Sequence, residues 1–250
     1  MRRSVLALAV AAASLLVGCD VLFPEFSGST PPADLSGVDG APDAGTVAPH
    51  LAGSICALTD VRDFRSCAAG PGAGFRITVE ETRDVTTADA TGHFNLVTAS
   101  SLAAATVAVV DPANLYATTI TVVHPVNGIA DPIVLPVLSS AIRDQLNLAA
   151  GSPADPTRGA LLTWLLDAKA APLSNITAAH VASALGPFTA GPTANELTNS
   201  AITGATGLVA LFDLPPPTAT LTLTPPPTSF TLPIRPNTIT LTTLVITAAP

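Results

Sequence analysis

From residue 53 onward the chain is dominated by short runs that alternate apolar and polar positions, and these read as β-strands separated by turns. Phe75, Ile77 and Val79 alternate with Arg76, Thr78 and Glu80, the period of a half-buried strand. Thr218, Thr220, Thr222 and Thr224 alternate in the same way with Ala219, Leu221 and Leu223. Further strands are expected over 54–58, 93–97, 104–110, 115–123, 159–166, 175–184, 208–214, 229–234 and 237–247. The runs 159–166 and 175–184 also fit short buried helices by periodicity alone. The proline clusters Pro215–Pro217 and Pro225–Pro227 lack the N–H donors of a central strand and read as turns.

One helix is expected over 136–150. Pro136 suits a first helical position. Leu138, Ala141, Ile142, Gln145, Leu146 and Ala149 fall on one stripe, and Gly151 is a natural stop. Such a stripe marks a helix packed on a sheet or at a domain junction. A weak repeat surrounds it: Ala90-Thr91-Gly92 precedes Phe94 and Leu96, and Ala205-Thr206-Gly207 precedes Val209 and Leu211. In each copy a glycine turn leads into an alternating strand. Regularly spaced short strands in two copies predict a mainly β chain with two tandem sandwiches joined by the short helix.

The first 50 residues follow neither pattern. Arg2 and Arg3 precede an unbroken small and apolar run from Val5 to Val17, too short to span a bilayer and laid out as an export signal. Residues 20–50 contain Pro24, Pro31, Pro32, Pro42 and Pro49 among Gly, Ser, Asp and Ala, the composition of a disordered tether. Between the two, Leu16-Val17-Gly18-Cys19 resembles a bacterial lipobox. That resemblance implies cleavage after Gly18, a diacylglycerol on the Cys19 thiol and acylation of the new amino terminus. An ordinary signal peptide cut beside Gly18 is the competing reading. Two or three acyl chains, at about 0.8 kcal/mol per buried CH₂, hold a protein on a membrane without a spanning helix.

Composition narrows the function classes. Loss of residues 1–18 leaves 8 basic against 18 acidic residues, a net charge of −10. A chain this acidic lacks the basic stripe of a nucleic-acid binder and the polybasic patch that reinforces contact with anionic lipid. Apolar residues make up 48% of the chain and aromatic residues 4%, so the cores rest on Ala, Val, Leu and Ile. One Trp and one Tyr are a poor stock for a sugar-binding face. Beyond Cys19, only Cys56 and Cys67 remain. In an oxidising compartment that pair is expected to join. Two buried thiols, or a metal site with only His50 close in sequence, are the other readings.

Ala88-Asp89-Ala90-Thr91-Gly92-His93-Phe94-Asn95-Leu96, following the strand that begins at Ala73, resembles the turn motif of the carboxypeptidase regulatory-like domain. Ala88 stands where that family has Thr. The resemblance implies a transthyretin-like, Ig-like β-sandwich over 51–124 and a second, weaker copy over 157–250, with 125–156 as connector. It is almost silent on activity, because such modules accompany many functions. Related surface sandwiches also carry Lys–Asn isopeptide bonds, for which Lys169, Asn237 and Glu196 are the candidates here; coincidence is the other reading.

No catalytic residues, metal ligands or cofactor are expected. His50, His93, His124 and His180 are scattered, without a zinc-binding spacing. Asp84 and Asp89 beside a turn fit a solvated loop better than a calcium site. The iron chemistry of a related sandwich needs two tyrosines, and Tyr116 is alone. The expectation is a non-enzymatic, lipid-anchored protein of the bacterial cell envelope, on the periplasmic face of a membrane or at the cell surface. It touches the membrane through its anchor and has a structural or protein-binding role. A glycan- or ligand-binding accessory is the alternative, and an unrecognised enzyme the remoter one.

Overall fold

The computed structural model describes residues 50–68, 74–98, 104–124, 133–152, 155–180 and 184–246. The expected signal segment, Cys19 and all but the last residue of the tether lie outside them. The first half consists of β1 (His50–Leu58), β2 (Cys67–Ala68), β3 (Arg76–Val79), β4 (Val85–Thr87), β5 (His93–Val97), β6 (Ala105–Val110), β7 (Thr119–Val123) and β8 (Ile133–Val137). Helix α1 (Ser140–Ala149) follows. The second half contains β9 (Gly159–Leu166), β10 (Thr177–His180), β11 (Leu185–Ala190), β12 (Leu197–Asn199), β13 (Leu208–Leu214), β14 (Thr218–Thr224), β15 (Thr228–Pro233) and β16 (Ile239–Val245).

Each half builds a sandwich. In the first, β5 and β2 share one edge of β1 while β8 runs parallel along the other. This sheet covers the ladder β4-β3-β6-β7. Leu51, Ile55, Phe94, Leu96, Leu135 and Val137 from one layer meet Ile77, Val79, Val107 and Val109 from the other. The alternation read from Phe75 to Glu80 is observed: Phe75, Ile77 and Val79 are buried, while their neighbours reach solvent. In the second sandwich, Ala219, Leu221 and Leu223 of β14 pack on Leu161, Leu165, Val209 and Leu211, as the TATLTLT pattern predicts.

The two large sheets merge. β16 lies between β9 and β7, parallel to both, and completes a nine-stranded sheet ordered β12-β11-β13-β9-β16-β7-β6-β3-β4. With β9 the register runs from Ile239↔Ala160 to Val245↔Leu166. With β7 it covers only Ile239↔Thr119 and Thr240↔Ile120. Strand β9 is buried at every position, because the β10-β14-β15 sheet covers one face and α1 with the 58–64 loop covers the other. That double covering explains its nearly continuous apolar sequence and decides between strand and helix.

The helix begins later than expected. Pro136 belongs to β8, opposite Cys56. Among the described residues this strand pairs with β1 alone, which makes it an edge strand, where a proline is tolerated. Ser139 is the N-cap, its Oγ accepting from the Ile142 N–H at 3.2 Å. Gly151 follows the C-cap with φ +69°, as a stop signal requires. Leu146 is the one buried residue of α1 and packs with Leu138, Leu162 and Phe212.

Candidate functional site

Cys56 on β1 and Cys67 on β2 are joined by a disulfide, with their Cα atoms 5.1 Å apart. The bond closes a loop that reaches into the second half of the chain. The Trp164 indole N–H donates to the Val61 carbonyl at 2.9 Å, and Phe64 packs against the same ring at 5.7 Å between centroids. Asn195 clasps the loop from the other side: its Oδ1 accepts from Val61 N–H at 3.1 Å, and its Nδ2 donates to the Thr59 carbonyl at 3.2 Å. Arg62 donates to the Pro192 carbonyl and holds Asp60 through both carboxylate oxygens. That guanidinium, donating to Asp60, keeps its carboxyl below the ordinary value of 3.8. Burying the Trp164 side chain stabilises the fold by roughly 3 kcal/mol. A second tie between the halves is Arg235, which donates from two nitrogens to the two oxygens of Glu80.

Beside this loop lies a cleft of about 450 Å³. Phe64, Arg65 and Cys67 form one rim, and Ile133, Val134 and Pro136 of β8 the other. The floor is the point where β7 and β16 part. Thr121 to His124 and Leu241 to Thr243 line it as two consecutive runs, with Trp164 behind them. The Thr121 Oγ1 is buried there with no hydrogen-bond partner among the described residues. The cleft is mostly apolar, with Arg65 and His124 as its basic groups. It was not legible in the sequence, because its lining comes from separate segments scattered between Phe64 and Thr243.

The other candidate residues are not brought together. His93 opens β5 and faces solvent, His180 Nε2 donates to the Gly186 carbonyl at 2.5 Å, and His50 starts β1. Asp89 holds its own turn: Oδ1 accepts from Thr91 N–H, Thr91 Oγ1 and His93 N–H, which lowers its pKa. Among the described residues, no three His, Cys, Asp or Glu side chains cluster as a metal site. Tyr116 packs edge-on against Phe75 at 5.3 Å. Asn237 precedes β16 and bonds the Arg158 carbonyl, whereas Lys169 follows the far end of β9. A strand of that length separates them by about 23 Å. Glu196 binds Thr193 on the β11–β12 connection, so the isopeptide set is not assembled.

No protein-family model and no curated protein sequence matches the chain. Solved structures show distant likenesses. The Bacillus anthracis TIE protein is 13% identical, with a TM-score of 0.27, over 80% of this chain and 34% of that one. A mutant of the shaft pilin SpaA from Lactobacillus rhamnosus GG is 9% identical, with a TM-score of 0.26, over 82% and 99%. The streptococcal ancillary pilin is 15% identical, with a TM-score of 0.25, over 82% and 64%. The chain thus spans about a third of the TIE protein chain. At these scores the likenesses carry no argument, and the mainly β sandwich architecture stands on the strand pairings themselves.

Proposed function

We propose that this is a non-enzymatic, lipid-anchored protein of the bacterial cell envelope, acylated at Cys19, with a structural or protein-binding role. Residues 51–124, with β8 from the 125–156 connector completing their sheet, act as a carboxypeptidase regulatory-like module, and 157–250 as a second sandwich. The observation that carries the reading is the merging of both sandwiches into one nine-stranded sheet, tied by the disulfide loop and by Arg235–Glu80. A unit braced in this way suits a part that is displayed and pulled on. The acidic, proline-rich tether would hold it away from the membrane.

A glycan-binding role has less support. Trp164 is 1% exposed and Tyr116 is packed on Phe75, so neither offers a face to a sugar ring. Cross-linking in intact native cells, followed by mass spectrometry, tests the proposal. One dominant protein neighbour, lost in a Cys19→Ala strain, is expected. An unchanged set of neighbours in that strain would count against anchoring, and no specific neighbour against a protein-binding role.

A further inference from the structure

We propose that the fork between β7 and β16 is a docking slot for an extended peptide strand of a partner protein, apolar at alternate positions and acidic at its flank. The inference rests on the protein-binding part of the function proposed above and makes no use of the anchor.

The β7–β16 ladder stops at Ile120 and Thr240. β7 nevertheless continues beside β6 to Val123, and β16 beside β9 to Val245. Among the described residues, no strand pairs with either on the side facing the fork. Both runs line the cavity with consecutive residues, so strand edges face it and not merely one side of a sheet. A strand edge is a row of N–H and C=O groups that needs partners when covered. A peptide strand supplies such groups along its length, whereas an acyl chain supplies none.

Three features of the cleft define the occupant. Each edge is about four residues long, roughly 13 Å, which sets a short strand. Phe64, Val122, Ile133 and Val134, which line the cleft and are partly or largely open to solvent, give apolar contacts for alternate side chains. Arg65 on the rim is largely exposed and, among the described residues, has only the exposed Asp63 as ion partner at 3.8 Å, so it favours an acidic flank. Strand addition of this kind draws affinity from main-chain hydrogen bonds and specificity from alternate side chains.

Trp164 is the single tryptophan of the chain and lies behind the cleft floor, so its emission is followed alongside titration calorimetry, which reads occupancy directly. The experiment uses the full chain carrying Cys19→Ala, purified in the oxidised state, so that failure of the anchoring proposal leaves it untouched. The probes are the blocked synthetic peptide Thr-Val-Thr-Val-Thr-Val-Asp-Asp, the same peptide N-methylated at alternate residues, and decanoate. The expected result is saturable binding of the first peptide, with a Kd on the order of 10 μM, and at least tenfold weaker binding of the N-methylated form. Thr243→Arg, at the exposed end of the run that lines the floor, should weaken binding tenfold at unchanged thermal stability. Arg65→Glu should weaken it less, and only for the acidic-flanked peptide. Equal binding of the N-methylated peptide, binding of decanoate alone, or no binding up to about 1 mM would overturn the proposal. A neighbour found by cross-linking while the peptide fails to bind would refute the slot and leave the protein-binding role standing.

Discussion

Breaking the Cys56–Cys67 bond tests how much of the junction rests on covalent closure. The bond spans 11 residues. Chain-entropy arithmetic for such a loop gives about 9 cal/mol/K, or about 2.8 kcal/mol at 25 °C. The 46–250 unit, about 200 residues, unfolds with an entropy of about 0.42 kcal/mol/K at about 2.1 cal/mol/K per residue. The melting temperature should therefore fall by about 7 °C. The assay is thermal unfolding of the oxidised chain, the same chain reduced with dithiothreitol, and the Cys56→Ala/Cys67→Ala variant. The last two should agree within about 1 kcal/mol, since Cys56 alone is buried and its replacement leaves only a small cavity. Trp164 emission in the native state should hardly move, because Val61, Phe64 and Asn195 hold the loop without the bond. A shift below about 2 °C would show that the unfolded loop is already constrained. A red-shifted native Trp164 would show that the loop is held by the disulfide and not by its latch.

Three further outcomes follow from side chains in the structure. Asp111 is 7% exposed and accepts from the Ala113, Leu115 and Tyr116 N–H groups, so Asp111→Ala should cost about 3 kcal/mol in denaturant unfolding; a loss below about 1 kcal/mol would contradict that. Thr163 is fully buried and its Oγ1 has no partner among the described residues, so Thr163→Val should raise stability by about 1 kcal/mol, and a destabilisation would reveal a bond at that hydroxyl. The carboxyls of Asp60, Asp89, Asp155 and Glu196 all lie below their ordinary values, chiefly through Arg62, the Thr91 hydroxyl, the Thr157 N–H and the Thr193 hydroxyl respectively. Groups lowered on folding stabilise above their unfolded values, here 3.8 for Asp and 4.5 for Glu, and lose that contribution as pH falls through the folded ones. Melting temperature should be flat from pH 7 to about 5 and decline below about pH 4, with a smaller decline in Asp60→Asn; a rise below pH 4 would mean that relief of the −10 charge outweighs these bonds.

Strands that alternate were legible in the sequence, and β5 and β14 have the expected bounds; the continuous apolar runs of β9 and β13 also have theirs, although periodicity left β9 open to a helix. The repeated glycine turns also appear, Gly92 at φ +82° and Gly207 at φ +66°. At Gly207 a Cβ would stand 2.5 Å from the Leu165 carbonyl, so the turn excludes side chains by space as well as by backbone angle. Two- and three-residue strands such as β2, β4 and β12 carry no period to read. β11 contains Gly186 and Pro187 and bulges against β13, which hides it among turn signals. Pro136 satisfied a helix rule and a strand-edge rule equally, and only pairing with Cys56 separates them. The fork depends on a parallel contact between residues about 120 positions apart, and no local pattern encodes such a contact. Cysteine count and the expected compartment favoured the disulfide over two thiols or a metal site, because they do not depend on register.

The anchor at Cys19 is the claim on which the placement of the whole protein depends. Metabolic labelling of native cells with an alkyne-bearing palmitate, followed by mass spectrometry of the mature amino-terminal peptide, tests it directly. The proposal predicts a chain that begins at Cys19 and carries diacylglycerol on its sulfur, with all label lost in Cys19→Ala. An unlabelled chain, or one cut at another residue with a free Cys19 thiol, would contradict it.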